Sequence, residues 1–376
     1  MIGAIVELAD KDGYESNNDP KIALRLGFSS VNRLTQFMTP RTTSQNGKEE
    51  SENGIAHRAK SSWLDLFRQL GISIPLPKSD PLGLPNSVNA VGLWLIKRTK
   101  TNSPNCKPGV LPVAVCVNTA NRAVSARING LDGLYSYSEA LVAIGRGEGE
   151  YVADEKSAQP YIKQLLDELK DFGDVLLLCD KHNMGYQAWP WLNNKNIGKD
   201  KVGIAYELSV PIEEYGKLRI VRGRGGSASL ESPQWYRVSV KDSKTMISKG
   251  LWDISDRVYG STYGKPTQMK GISHHTSKIG TWENSNGRSF DPQPRKPLQN
   301  PSMYELTVAC VQPGDDPAAW GALAHMLRDS AVHYADANVR PYPLLLAERI
   351  EEYAHPFEFG AAQKNKSKQS QKRLLT

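Results

Sequence analysis

DVLLLCDKHNMGYQAWPWL, residues 174–192, is the segment that decides the fold class of this chain. Its apolar run from Val175 to Cys179 does not alternate with polar residues, which is typical of a strand covered on both faces. The preceding residues, 156–172, carry apolar side chains at spacings of three and four, which predicts an amphipathic helix. A helix that leads directly into a buried strand is typical of an α/β fold.

Asp180 stands where this apolar run stops. Its carboxylate is therefore expected at the carboxyl-terminal edge of the sheet, where open α/β sheets bind their ligands. That position makes Asp180 a candidate for metal or phosphate chemistry. An aspartate after a strand can also cap the next segment by accepting hydrogen bonds from its backbone, so a purely structural role stays open here.

Composition bounds the class of protein. The chain has 376 residues, 39% hydrophobic residues and a formal net charge of +7, which indicates a globular protein of one large or two moderate domains with some preference for a polyanionic partner. No apolar run approaches the ~20 residues of a membrane span, and the N-terminus lacks the features of a signal peptide. The four cysteines form no CxxC motif, which favours buried thiols and a cytoplasmic location.

Other segments predict further strands and helices. The run LPVAVCV, residues 111–117, reads as a second central strand, and a turn leads from it to a partly exposed partner strand, VSARI. A helix is expected to open at Pro20 and to be closed by Thr39 and Pro40. A second helix, residues 57–70, is expected to bury four apolar residues. These are Trp63, Leu64, Phe67 and Leu70.

The strand KLRIVRGRGG, residues 217–226, carries three arginines close to a glycine-rich end. Arg219, Arg222 and Arg224 could contact phosphates there, because guanidinium groups and open backbone amides both bind phosphate oxygens. Ion pairs with nearby acids explain the arginines equally well. The acids in question are Glu213, Glu214 and Glu231.

Several motifs are missing from the sequence. No glycine-rich phosphate loop, dinucleotide fingerprint or GxSxG nucleophile elbow is present, so ATPase, dehydrogenase and serine hydrolase functions lose support. The adjacent His274 and His275 are a weak metal signal because no second ligand pair lies at a suitable spacing.

Five segments together resemble one known family. They are DPKIALRLGFSSVNRLTQFMTP, LPVAVCVNTANRAVSARI, DVLLLCDKHNMGYQAWPWLNN, KLRIVRGRGG followed by SPQWYRV, and RPYPLLLAERIEEY. They are similar to the RNase H-like (PIWI) region of the prokaryotic PIWI-RE (pPIWI_RE) family, distant relatives of the argonautes. The resemblance implies an α/β RNase H-like fold with a mixed central sheet flanked by helices, and with β-rich and loop insertions.

The resemblance also implies a division of the chain. Residues 1–100 would lead into the PIWI region, 101–356 would form the RNase H-like domain, and 357–376 would be a disordered basic tail. The family's MID domain is not recognised in the sequence, so the chain is expected to be a C-terminal half or one part of a split protein.

In function, the family implies binding of guide and target nucleic acid in prokaryotic defence against plasmids and phages. Expected partners are a MID-containing N-terminal half, a DinG-like helicase and a restriction-endonuclease-like protein, with no membrane contact.

Argonaute-type cutting uses carboxylates that hold two divalent ions. By resemblance, Asp180 corresponds to the second catalytic aspartate, Glu348 to the final ligand, and Glu148 or Glu150 to the acidic finger. Asn118 stands where the first metal-bridging aspartate belongs, and an amide is a poor ligand for a hard cation. Mg²⁺ or Mn²⁺ is expected if the site is active, and no cofactor otherwise.

Three hypotheses follow. The favoured one is a binding module with a degenerate metal site, in which a set of basic residues contacts phosphates; the set is Arg219, Arg222, Arg224, Lys217 and Arg237. The second is a metal-dependent nuclease that uses Asp180, Glu348 and the acidic finger. The third is a scaffold that docks the helicase or partner subunit through an aromatic surface around Trp189 and Trp191. Glu352, with Arg222 or Arg224, is the candidate for the Glu and Arg after which the family is named.

Overall fold

The computed structural model describes residues 2–9, 20–41, 50–72, 76, 80–99, 107–204, 209–225, 250–262, 282–283, 289–290, 304–330 and 339–354. Arg237, Cys106, the two adjacent histidines at 274 and 275, and the basic tail lie outside the described residues.

The described residues form fifteen strands and seven α-helices. The strands are β1 (Ile2–Glu7), β2 (Arg33–Met38), β3 (Asn89–Arg98), β4 (Gly109–Asn118), β5 (Val124–Ile128), β6 (Tyr135–Ser136), β7 (Val175–Asp180), β8 (Lys201–Val202), β9 (Val210–Pro211), β10 (Leu218–Arg224), β11 (Gly250–Ser255), β12 (Val258–Thr262), β13 (Trp282–Glu283), β14 (Ser289–Phe290) and β15 (Tyr304–Cys310). The α-helices are α1 (Pro20–Ser30), α2 (Glu52–Gln69), α3 (Tyr137–Gly145), α4 (Gln159–Leu169), α5 (Lys181–Met184), α6 (Pro317–Met326) and α7 (Tyr342–Arg349). Within this part of the chain, no helix has both the length and the apolar character needed to cross a membrane.

Nine strands form one mixed sheet in the order β11-β12-β15-β10-β7-β3-β4-β5-β6. Both neighbours of β7, β3 and β10, run parallel to it, whereas β3, β4 and β5 pair as antiparallel hairpins. All six residues of β7 are buried. The predicted α/β class and the central position of this strand are confirmed.

Helices cover both faces of the sheet. Leu176 and Leu178 of β7 pack in the same apolar cluster as residues of α3, α6 and α7. Val175, Leu177 and Cys179 point the other way and pack with α4. Successive side chains of a strand alternate between faces, so Asp180 shares the parity of Leu178 and faces the layer that contains α7.

The tryptophans proposed as a docking surface lie inside the second layer. Trp189 and Trp191 are 0% and 2% exposed, and the indole N–H of Trp189 donates to the carbonyl of Gly203 at 2.7 Å. An aromatic surface at these residues is therefore not present. The expected buried thiols are found at Cys116, Cys179 and Cys310.

The N-terminal residues form a unit around the parallel pair β1 and β2, and its Leu34 and Leu66 pack in the same apolar cluster as α3. The helix that opens at Pro20 ends at Ser30, and Arg33–Met38 is a strand, so the expected continuation to Thr39 was wrong. Asn32 has a φ of 58°, and asparagine is one of the few residues that tolerate this left-handed conformation at a helix end. The chain can therefore turn there from helix to strand.

Helix α2 buries a different face from the predicted one. Trp63 and Phe67 are 52% and 38% exposed, whereas Leu66, Arg68 and Gln69 are buried. A buried charge requires paired partners, and Arg68 has them in Asp65 and Glu352, at 2.7 and 2.8 Å. Polar residues therefore occupy the contact that apolar periodicity assigned to the aromatic side chains.

Candidate functional site

Asp180 ends β7 and caps the short helix that follows. Its Oδ1 accepts hydrogen bonds from the backbone N–H groups of His182 and Asn183 at 2.9 and 3.1 Å. The residue is only 1% exposed. The structural role that the sequence left open for Asp180 is therefore present, and it uses one carboxylate oxygen.

The other oxygen of Asp180 is also occupied. Oδ2 accepts from the hydroxyl of Tyr304 at 3.1 Å and from Nε of Arg340 at 3.2 Å. Gly223 lies beside Asp180 on β10, and a Cβ there would come within 2.1 Å of the Tyr304 hydroxyl. Glycine at 223 thus leaves the space through which Tyr304 reaches Asp180.

Glu348 joins the same cluster through Arg340. Nη1 of Arg340 donates to both carboxylate oxygens of Glu348, at 3.0 and 2.9 Å. The structure therefore brings together two of the predicted site residues, Asp180 and Glu348, with a guanidinium between them. Cζ of Arg340 also lies 4.7 Å from the ring centroid of Trp94.

The close approach of α7 to β3 depends on Gly92. A Cβ at Gly92 would lie 2.4 Å from the carbonyl carbon of Pro343, a distance that packed atoms do not adopt without moving. Because α7 carries Glu348 and directly follows Arg340, the missing side chain at 92 allows both residues to reach Asp180.

Electrostatics stabilise the charged form of Arg340. Burial acts to lower the pKa of its guanidinium, but the charges of Asp180 and Glu348 outweigh burial and hold the pKa above its usual value. Burial, with the nearby Asp180 charge, raises the pKa of Tyr304 well above its ordinary range. Tyr304 is therefore a neutral hydroxyl donor and Arg340 a permanent cation.

Asn118 is not part of this cluster. Asn118 pairs with Asn89 across β4 and β3, and Asn89 pairs in turn with Val175, the first residue of β7. Asp180 is five residues further along β7, about 16 Å at the usual rise of a strand. Oδ1 of Asn118 accepts from the N–H groups of Ala120 and Asn121, so this amide orders the β4–β5 turn.

The candidate acidic fingers also lie apart from Asp180. Glu148 pairs with Arg146, with 2.7 Å between Oε1 and Nε. The backbone N–H of Glu150 donates to the carbonyl of Asn129, directly after β5. Strands β4 and β3 separate β5 from β7.

The residues around Asp180 do not fit a divalent ion in this arrangement. Mg²⁺ needs near-octahedral oxygen coordination, whereas both oxygens of Asp180 already accept hydrogen bonds and Arg340 holds the space towards Glu348. Leu93 pairs with Cys179, so the next residue, Trp94, flanks Asp180 on β3 and offers no oxygen. The described residues contain no group of three or more His, Cys, Asp or Glu side chains suited to a metal.

The arginines of β10 are paired inside the protein. Arg219, 5% exposed, pairs with Asp174 and Asp315. Because β10 lies between β7 and β15, its side chains point into covered layers. The arginines form ion pairs, as the second interpretation of the sequence held, but their partners are not the expected Glu213, Glu214 and Glu231.

The other two arginines share a partner on β15. Arg222, 3% exposed, pairs with Glu305 and bonds to Thr307, and Arg224 also pairs with Glu305. Lys217 differs, since its side chain is 68% exposed beside Asp174. The role of these residues towards phosphates stays a prediction.

Glu352 lies in the short helical turn after α7, where that turn contacts the N-terminal unit. Its carboxylate pairs with Arg68 of α2 at 2.8 Å and with Arg349 at 3.1 Å. Arg25 of α1 donates to its carbonyl oxygen and lies 3.8 Å from its carboxylate. Its partners are therefore these arginines and not Arg222 or Arg224.

Sequence reasoning missed three residues of the cluster, namely Arg340, Tyr304 and Trp94. Arg340 precedes the proline that opens α7, eight residues before Glu348, and this basic residue ahead of a helix with a candidate ligand was a usable signal. Tyr304 and Trp94 sit in apolar strand segments, where nothing in the local pattern distinguishes them from other core residues.

The geometry defines the class of protein. A central β7 with parallel neighbours, a β3-β4-β5 antiparallel extension, and a carboxylate at the end of β7 facing a final helix describe an RNase H-like α/β domain. The family model described as the RNaseH domain of pPIWI_RE matches residues 90–356. The chain belongs to the pPIWI_RE family.

A second family model, the MID domain of pPIWI_RE, matches residues 1–78. The expectation that the chain lacks a recognisable MID region was therefore wrong. The first match ends at residue 78 and the second begins at residue 90, so all of β3 except its first residue lies in the second match.

Solved argonaute structures are similar to most of the chain at low identity. Marinitoga piezophila Argonaute in complex with 5′-OH guide RNA is 12% identical with a TM-score of 0.43, over 94% of this chain and 42% of that one. Kluyveromyces polysporus Argonaute with a guide RNA is 8% identical with a TM-score of 0.47, over 94% of this chain and 35% of that one. The C-terminal lobe of a budding yeast Argonaute is 9% identical with a TM-score of 0.45, over 94% of this chain and 62% of that one. The chain thus spans less than two thirds of each, and no curated protein matches it.

Proposed function

We propose that this protein binds a guide–target nucleic-acid duplex at the Asp180 edge of the sheet and does not cut it. The observation that carries this proposal is the Arg340 guanidinium between Asp180 and Glu348. A two-metal nuclease needs ions between such carboxylates to stabilise the attacking and leaving oxygens. An arginine can bind a phosphate but cannot activate the attacking water in this way.

A basic residue at the same edge supports binding. Strand β3 ends at the partly exposed Arg98, whereas Lys181 after β7 is buried and Arg224 at the end of β10 pairs with Glu305. The carboxyl-terminal edge of parallel strands is where α/β sheets bind ligands, and phosphate contacts come mainly from Arg and Lys. The net charge of +7 agrees with a polyanionic partner.

We include the biological setting in the proposal. It is a role in prokaryotic defence against plasmids and phages, in which the bound duplex marks invading nucleic acid for a partner such as a DinG-like helicase. The protein would then act by holding the duplex while another subunit acts on it.

The first experiment measures binding and cutting together. The protein is incubated with guide–target duplexes of DNA, RNA and mixed strands, in Mn²⁺ and in EDTA. We expect salt-dependent binding and intact strands in both. Guide-directed products that require Mn²⁺ and vanish in Asp180→Ala would overturn the non-cutting half of the proposal.

The second experiment locates the interface. Arg98 stacks on Tyr151, with Cζ 3.6 Å from the ring centroid, and Lys217 is an exposed cation at the opposite edge, before β10. If Arg98 contacts a phosphate, Arg98→Ala should reduce the slope of log affinity against log salt by about one. Lys217→Ala is the matched control and should leave the slope unchanged. The reverse result would place the duplex at the other edge.

A further inference from the structure

A single cation satisfies both acids of the candidate site. Arg340 contacts Asp180 through Nε and Glu348 through Nη1, so two negative charges share one fixed positive charge. Divalent cations occupy the same kind of position between carboxylates. We infer that Arg340 is a built-in replacement for a divalent ion, which lets nucleic acid approach this edge without any metal.

The guanidinium is held too firmly to act as a loose counter-ion. Its three contacts approach from different directions, with Asp180 on β7, Glu348 on α7 and the ring of Trp94 on β3. Pro341 directly follows Arg340, and α7 is seated on Gly92. The side chain is thus positioned by the fold itself, with Nε on Asp180 and Nη1 on both oxygens of Glu348.

Other charges near the cluster have their own partners. Arg328 lies over the ring of Tyr304 and donates to the carbonyl and hydroxyl of Ser261. Lys181 lies over the ring of Tyr186. Arg340 contacts both Asp180 and Glu348 directly, so its removal changes the charge between these two acids.

A definite consequence follows for a variant that lacks this cation. With Arg340 gone, Asp180 and Glu348 form a doubly negative pair beside the duplex path, which repels phosphates and attracts a hard cation. The wild-type protein should therefore bind nucleic acid equally well with and without divalent ions. The variant should bind it well only when an ion fills the gap. This last step rests on the proposed function.

The metal step can be tested without nucleic acid. Arg340→Gln keeps a hydrogen-bonding side chain but removes the charge, and Tb³⁺ serves as the probe, because Trp94 lies close enough to sensitise its luminescence. We expect Tb³⁺ to bind Arg340→Gln at least about tenfold more tightly than wild type. The signal should fall in Arg340→Gln with Trp94→Phe, and the affinity should fall in Arg340→Gln with Glu348→Gln.

The matched control is Arg127→Gln. Arg127 also forms a bidentate pair with a carboxylate, that of Glu168, at 3.1 Å for both contacts, but only one acid is involved. This variant should gain no Trp94-dependent Tb³⁺ signal. A folded Arg340→Gln that gains none either would overturn the inference.

Tb³⁺ binding by the wild-type protein provides a second test. Trp94-dependent Tb³⁺ binding by wild type that is lost in Asp180→Asn would also overturn the inference, because the site would then accept a cation beside Arg340. In the final arm, duplex affinity is measured in Mn²⁺ and in EDTA. The wild-type protein should have the same duplex affinity in both, and the duplex affinity of Arg340→Gln should be about tenfold lower in EDTA than in Mn²⁺.

The two proposals can fail separately. If neither protein binds any duplex but Arg340→Gln gains the Tb³⁺ site, the proposed function is wrong and the replacement of the metal by Arg340 stands. If duplexes bind but Arg340→Gln gains no Tb³⁺ site, the proposed function stands and the inference about Arg340 is wrong.

Discussion

The two ends of strand β7 carry the same arrangement of groups in different surroundings. Before β7, Arg219 lies between the carboxylates of Asp174 and Asp315, with Cζ 4.5 Å from the ring centroid of Trp320. After β7, Arg340 lies between Asp180 and Glu348 over the ring of Trp94. We call these the Asp174 cluster and the Asp180 cluster.

The clusters differ in exposure and in their place on the sheet. The side chain of Arg219 is 7% exposed and that of Arg340 is 27% exposed. The Asp174 cluster lies at the amino-terminal edge of the parallel strands, and the Asp180 cluster at the carboxyl-terminal edge, where such sheets bind ligands. The same chemical group is thus a stabilising element at one end and a candidate ligand contact at the other, so position on the fold separates the roles.

The largest expected effect breaks the Asp174 cluster. Arg219→Gln removes the buried guanidinium shared by the partly exposed Asp174 and Asp315 and leaves only Lys217, 3.6 Å from Asp174, nearby, which should reduce the free energy of unfolding by about 3 kcal/mol. Arg340→Gln should cost less because the Arg340 side chain is 27% exposed against 7% for Arg219, and Asp180 keeps the donors His182, Asn183 and Tyr304. Urea unfolding of both variants measures the difference. Duplex affinity of folded Arg219→Gln should equal that of wild type, and a loss of affinity there would remove the contrast between the ends.

The next effect separates α7 from the sheet. Gly92→Ala forces a Cβ against the backbone at Pro343, and we expect a loss of about 1–3 kcal/mol in the free energy of unfolding. The Asp180 cluster should loosen while the Asp174 cluster stays intact. Gly27→Ala in α1 is the matched control, because no atom lies within 4 Å of the added Cβ, and it should stabilise the helix slightly. Equal effects at both positions would show that α7 is not seated on Gly92.

The smallest effect removes one hydroxyl from the Asp180 cluster. Tyr304→Phe deletes the donor to Oδ2 of Asp180 and should lower the free energy of unfolding by about 1 kcal/mol. Arg340 still occupies the site, so the variant should remain unable to bind Tb³⁺. Thermal unfolding and Tb³⁺ luminescence measure the two results. A gain of Tb³⁺ binding in this variant would mean that Tyr304, and not Arg340, keeps cations out.

Local patterns predicted the parts of this fold that are locally determined. The unbroken apolar run before Asp180 identified β7 and its carboxylate, and the helix pattern around Glu348 identified α7. Both residues meet in the structure. The family resemblance, drawn from short segments spread along the chain, was confirmed.

Local sequence patterns could not predict the strand register or the pairing of side chains that are distant in sequence. Asn118 follows an apolar strand just as Asp180 does, but β4 runs antiparallel to β7's neighbour β3, so its end lies at the opposite edge. The face of α2 was misjudged because Arg68 can be buried only once Glu352, 284 residues away, supplies its charge. Arg340 lacked a visible role for the same reason, since one of its two acids, Asp180, lies 160 residues away.

The last helical turns of the described chain have a mechanical consequence. Glu348 and Glu352 stand four residues apart, and the first is tied to Arg340 while the second is tied to Arg68 and Arg25 of the N-terminal unit. A tilt of that unit relative to the sheet cannot be absorbed by a flexible tether at this point. Such a tilt must either move the Glu348 carboxylate or break an ion pair of Glu352. The N-terminal unit and the Asp180 cluster are thus coupled across about 6 Å of helix.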